Sequence, residues 1–136
     1  YLVSIGSNQG IKLGQPVIRE GYLVGKVIEV RKESCVVRSV LSPLSIIQVW
    51  IPTLNEKGYL QGDGNTLTVK DITQGVAVPE GSLVESSGLG GTLPQGLLIG
   101  TTGKLLTEPS DLAQNYRLTP GTDPSNLESI MILLTD

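Results

Sequence analysis

Apolar positions along the chain fall in short runs, often alternating with polar ones, and the runs are cut by Gly and Pro. Period-2 alternation over such lengths predicts strands, and helical periodicity is almost absent. Strands are predicted at 2–5, 16–20 and 22–31. The third has Val24, Ile28 and Val30 on one face and Leu23 and Val27 on the other, as in a strand covered on both sides. Further strands fall at 34–41 and 45–51, ended by Pro43 and Pro52, and then at 58–61 and 66–72. The last two flank Gly62-Asp63-Gly64-Asn65, a hairpin signal because a tight reversal needs residues tolerant of positive φ. Leu83–Ser86, 97–102 and 116–118 continue the series, and 129–134 would end it. Asp123-Pro124 starts one expected helical turn over 123–128, and a second is expected at 111–115. The fold class is therefore all-β, as β-barrels or a sandwich, with at most one or two helical turns.

An internal repeat refines this expectation. Gly14-Gln15-Pro16-Val17-Ile18-Arg19-Glu20-Gly21 matches Gly81-Ser82-Leu83-Val84-Glu85-Ser86-Ser87-Gly88, with Gly, Val and Gly in register. Gly21-Tyr22-Leu23-Val24-Gly25 resembles Gly96-Leu97-Leu98-Ile99-Gly100 after an insertion at 89–95. Two related β lobes, 1–65 and 66–136, are the simplest division, with strand exchange between them allowed. Gly14, Gly21, Gly25, Gly81, Gly88, Gly96 and Gly100 are expected as structural turn glycines.

Composition removes branches of chemistry. The 136 residues contain no His, which excludes a Ser-His-Asp triad, a Cys-His pair and any His-bearing zinc site within the chain. The single cysteine, Cys35, cannot form an internal disulfide and reads as a small buried hydrophobe. Ten basic against 13 acidic residues give a net charge of −3, without a basic footprint for nucleic acid. The longest apolar run, 130–134, is far short of the ~20 residues of a membrane span. The chain opens at Tyr1 rather than Met, so it reads as a fragment whose anchor would lie upstream.

Ser86-Ser87-Gly88-Leu89-Gly90-Gly91-Thr92 could cradle an anion, with Ser87 as nucleophile and Lys70 or Lys104 as base. A glycine-built loop joining two strands is the simpler reading. Asp63 with Asp71, or Glu80 with Glu85, could pair as acid and base, but nothing fixes their separation. Trp50, in an apolar run, is read first as core, with an exposed partner anchor as the rival. Tyr59 and Leu60 are read as a contact surface beside the turn.

These motifs together resemble the extracytoplasmic β domain of the MreC family of rod shape-determining proteins. The resemblance rests on Gly14-Gln15-Pro16-Val17, on Tyr22-Leu23-Val24-Gly25-Lys26-Val27 and on Gly58-Tyr59-Leu60-Gln61-Gly62 with Leu67-Thr68-Val69. Its clearest part is 81–100, including Ser87-Gly88-Leu89-Gly90-Gly91, Pro94 and Gly96. Ser82, Ser86 and Leu93 depart from the family pattern of Asp, Thr and Phe. The resemblance implies two β-barrels in a chymotrypsin-like pair without a triad, no cofactor and no metal. It implies a noncatalytic scaffold of cell-wall elongation, membrane-anchored on the extracytoplasmic side. Implied partners are a class B penicillin-binding transpeptidase, MreD and further copies of itself, as dimer or filament. Trp50, Tyr59, Leu60, Leu89 and Leu93 are the candidate partner contacts. A generic β-barrel module of an envelope adaptor complex and a Ser-Lys hydrolase are the alternatives.

Overall fold

β-Branched and leucine side chains at alternate positions define the strands, because they pack well on a pleated, half-buried surface. In the computed structural model, which describes residues 1–91, 93–127 and 130–132, eleven strands form. They are β1 (Leu2–Val3), β2 (Pro16–Arg19), β3 (Tyr22–Val30), β4 (Cys35–Ser39), β5 (Ile46–Ile51) and β6 (Glu56–Gly62). The rest are β7 (Leu67–Thr73), β8 (Leu83–Ser86), β9 (Leu98–Leu105), β10 (Ala113–Pro120) and β11 (Met131–Ile132). The all-β expectation holds.

Strand β8 pairs with both β9 and β5, closing β5-β6-β7-β10-β9-β8 into a six-stranded barrel. The other five strands form a sheet in the order β1-β4-β3-β2-β11. One parallel pair, Tyr22 with Leu98, joins the two sheets. The β6–β7 hairpin spans residue 65, so a division there would cut two paired strands; the ladders divide between β4 and β5 instead. The final strand returns to the first sheet, where Met131 and Ile132 pair with Ile18 and Val17.

Each sheet covers its own core. The barrel interior holds Ile47, Val49, Ile51, Leu60, Leu67, Val69, Ile72, Val84, Ile99, Tyr116 and Leu118. The second core gathers Ile11, Val17, Val24, Val27, Cys35 and Val37. β3 feeds both, since Leu23 belongs to the barrel cluster while Val24 and Val27 enter the other. This differs from the predicted faces, which put Val27 with Leu23. The cause is a bulge in β3 opposite Val17/Ile18, where pairing steps from Gly25 to Leu23 and resets the alternation between Leu23 and Val27.

The sequence repeat is carried into the ladders. Val17 faces Gly25 on β2–β3, and Val84 faces Gly100 on β8–β9; a bulge follows in both pairs. The Gly14 N–H donates to Val27 O at 2.9 Å and the Gly81 N–H to Thr102 O at 2.7 Å. Gly14, Gly21, Gly81, Gly88 and Gly96 all have φ between 79° and 94°, as turn glycines should. Gly25 and Gly100 are corrections to the turn reading. They sit inside strands, where a Cβ would lie 2.8 Å from Arg38 O and 2.2 Å from Thr119 O. Their lack of a side chain permits close approach of a neighbouring backbone, and no unusual φ is involved.

Among the described residues the helical content is two short 3₁₀ turns, Ser7–Gln9 and Pro52–Leu54. Residues 111–115 are not the expected helical turn: they bend at 111–112 and enter β10. Around Pro124 and Ser125 the chain makes a single turn, tied by Asp123 Oδ1 accepting the Ser125 N–H at 3.0 Å. Glu128, and Ser129, Leu133 and Leu134 of the expected last strand, lie outside the described residues.

A candidate contact face around strand β5

Strand β5 presents Ile47, Val49 and Ile51 to the barrel interior and Ile46, Gln48 and Trp50 outward. Trp50 is therefore half-buried on the outer wall, a correction to the core reading, and its Nε1 donates to Glu85 Oε1 at 3.2 Å. Alternation decides this, because the closed barrel leaves room for only one face of β5 inside. On β6, Tyr59 stands opposite Gln48 and Lys70 on the same outer wall. Its neighbour Leu60 faces Ile47 and Val69 and is 1% exposed, so Leu60 is core and not a contact residue.

The glycine loop after β8 lies beside this wall. Leu89, half exposed, and Leu93, packed on the barrel core, line a hollow of about 210 Å³ with Ile46, Gln48 and Lys26. Trp50, Tyr59, Leu89 and Leu93 are thus gathered around the outer side of β5, with Gln48 the shared neighbour. Sequence reasoning missed Leu44 and Ile46, 73% and 57% exposed, which extend the apolar surface. A leucine standing alone between Pro43 and Ser45 in a turn was the available signal.

The serines of the loop are engaged in building it. Ser86 Oγ donates to Pro94 O at 2.6 Å and accepts the Leu97 N–H at 2.9 Å, while Ser87 Oγ accepts the Leu89 N–H at 3.2 Å. Lys70 donates to Gln61 Oε1 at 3.1 Å, and Lys104 is exposed near the far end of β9. The carboxylates are equally local in purpose. Asp63 accepts from the Asn65 and Thr66 N–H groups and from Thr66 Oγ1, which hold its pKa down to about 2. Glu85 accepts from Trp50, and Asp71 sits at φ 70° with its N–H donated to Asn115 Oδ1.

A larger hollow, about 560 Å³, opens between the β6–β7 turn and residues 120–125. Arg117, its one basic lining residue, is anchored by Nη1 donating to Thr66 Oγ1 at 2.7 Å. None of the five sequence-derived contact residues lines it. Among the described residues there is no group of three His, Cys, Asp or Glu able to hold a metal ion, and no helix long and apolar enough to cross a membrane.

The family model described as the barrel core of the rod shape-determining protein MreC matches residues 1–134. The cell shape-determining protein MreC of Caulobacter vibrioides is 32% identical over 134 residues, covering 98% of this chain and 37% of that protein. The chain thus spans little more than a third of that relative's length. The MreC structure from Listeria monocytogenes aligns with a TM-score of 0.86 at 27% identity, over 96% of this chain and 65% of that one. MreC from Helicobacter pylori, in a structure described as its complex with Penicillin-Binding Protein (PBP2), aligns with a TM-score of 0.72 at 15% identity, covering 87% and 75% of the two chains. A barrel closed by β8, a second five-stranded sheet joined to it and a match across nearly every residue lead to one assignment: the chain belongs to the MreC family of rod shape-determining proteins.

Proposed function

We propose that this domain is a noncatalytic scaffold of bacterial cell-wall elongation, acting on the extracytoplasmic side of the membrane and binding the elongation transpeptidase of the penicillin-binding class. Family membership supports the cell-shape role, and the complex described for the Helicobacter pylori relative supports the choice of partner. The observation that carries the reading is the outer face of β5, where an aromatic pair and exposed aliphatic side chains converge on a rigid barrel wall. Such clusters of Trp, Tyr and aliphatic residues are what interface anchors are made of. Ser87 Oγ accepts the Leu89 N–H within its own loop, and Lys70, the candidate base, donates to Gln61 instead, which favours a scaffold over a hydrolase.

The mechanism is a population shift. A surface that binds the active transpeptidase conformer more tightly than the inactive one raises the active fraction by that difference in affinity and no more. MreD and a second copy of the chain are further partners in this reading. Calorimetry against the extracytoplasmic domain of the organism's own elongation transpeptidase tests it. Saturable binding that Leu89→Asp and Trp50→Ala weaken supports the reading; no binding at high micromolar concentration refutes it.

A further inference from the structure

Arg117 stands in the wall of the 560 Å³ hollow, and its charge there is held in place without being neutralised. Nη1 donates to Thr66 Oγ1 at 2.7 Å and reaches Thr68 Oγ1 at 3.5 Å, and among the described residues Arg117 enters no ion pair. Asp63, the acid linked to it through Thr66, is already spent. Its Oδ1 accepts the Asn65 and Thr66 N–H groups and its Oδ2 accepts the Thr66 hydroxyl. A guanidinium carries five donors in a planar fork, and the hydrogen bonds made here leave from Nη1 alone. Such a fork matches a carboxylate.

The rest of the wall narrows the choice of ligand. Asp123 is the one other charged side chain on it, and one cation with one anion favours a monoanion over a dianion such as phosphate. The nearby turn amides are occupied, with the Gly64 N–H donating to Leu41 O at 2.7 Å and the Ser125 N–H to Asp123 Oδ1 at 3.0 Å. These amides therefore form no anion-binding nest, and Arg117 is the anion donor. Leu41, Leu67, Leu118, Pro120 and Pro124 supply an apolar lining. Small-molecule sites combine such a lining with a few placed polar groups, in volumes of roughly 300–1,000 Å³ and often where two units of a fold meet. This hollow is at such a junction: Leu41 follows β4 of the outer sheet, 64–67 and 117–120 come from the barrel, and 122–125 lead back towards β11.

We propose that the hollow binds a monocarboxylate with an apolar body, the carboxylate on the Arg117 guanidinium and the body against the leucine and proline wall. Two sources share that chemistry, the free C-terminus of a short apolar peptide and a fatty acid. Trp50, Tyr59 and Leu89 do not line the hollow, so this site and the transpeptidase contact stand or fall separately.

Titration of the full chain with N-acetyl-leucyl-alanine, with the C-terminal amide of that dipeptide and with octanoate, followed by amide NMR shifts, tests this. Saturable shifts centred on residues 41, 64–67 and 117–125 are expected with at least one of the two carboxylates, and the one that binds identifies the source. The amide should bind about tenfold more weakly or worse than its acid, and Arg117→Gln should weaken carboxylate binding by a similar factor. Because Arg117 also ties Thr66, a second variant is needed. Asn65→Trp changes an exposed side chain whose bond to Asp63 is made by the main chain, so the melting temperature should hold while the larger group obstructs the hollow. No saturable shifts with either carboxylate at millimolar concentration overturns the proposal. So do shifts scattered over the surface, an amide that binds as well as its acid, or variants that bind like wild type.

Discussion

Tyr22 packs so closely on the bare backbone of Gly121 that a methyl group at residue 121 would lie 2.0 Å from its ring carbon Cε1. The same tyrosine makes the one parallel pair between the two sheets, so this ring-on-glycine contact seals their junction. Gly121→Ala is expected to destabilise the domain by about 1–3 kcal/mol, the usual cost of overpacking. Adding Tyr22→Ala should recover part of that loss, so a double-mutant cycle in urea should be non-additive. Additive effects would mean the two residues do not act through this contact.

Glycines at turns and glycines inside strands should fail differently. Gly96, at φ 94° with open space around it, can take Ala at the cost of a left-handed backbone, about 1–2 kcal/mol. Gly100→Ala drives a Cβ into Thr119 O and should cost more than Gly96→Ala. Gly88→Val meets both problems, φ 79° and Gln95 Cβ at 3.1 Å, and Gly96→Val should fall between. Denaturant midpoints rank the series.

Asp63 ties the β6–β7 turn only while ionised. Its carboxyl is held at about 2, below its usual 3.8, chiefly by the Thr66 and Asn65 N–H groups. A depressed native pKa contributes stability that is fully present above the unfolded value and is lost as pH falls through the native one. The domain should therefore lose this contribution between pH 3.8 and about 2. Asp63→Asn should flatten the pH dependence of the melting temperature across that window.

Burial at 0% exposure pushes the Cys35 thiol above its ordinary 9.0. A raised thiol pKa contributes stability below 9.0 that fades as pH rises towards the native value. Alkylation of Cys35 should be slow in the native state and should speed up with denaturant in step with unfolding. Rapid labelling without denaturant would show that the second core opens locally.

Trp50 is the only tryptophan and stands half-buried on the outer wall. If the transpeptidase covers the β5 face, its emission should shift to shorter wavelength on binding. Unshifted emission at saturation would remove Trp50 from the contact.

Local chemistry made much of this fold readable. The Gly62–Asn65 turn was legible because its residues tolerate positive φ, and Leu67 and Val69 alternate cleanly with polar neighbours into the barrel. The repeat was legible because the turn glycines recur with their strands. What escaped was set by pairing partners. The β3 bulge between Leu23 and Gly25 leaves no mark in composition, so Val27 fell on the wrong face. Trp50 and Leu60 changed places between core and surface because runs such as Ile46–Ile51 are apolar throughout, and closure of the barrel decides which face is inside.

The chain enters through β1 and leaves through β11, and both belong to the sheet that excludes the barrel. The barrel is thus a loop hung from that sheet. Tension applied through the two terminal strands is borne by the β1–β4, β3–β4, β2–β3 and β11–β2 ladders, with the barrel outside the line of force. A pull along the chain would load the ladders of that sheet before those of the barrel.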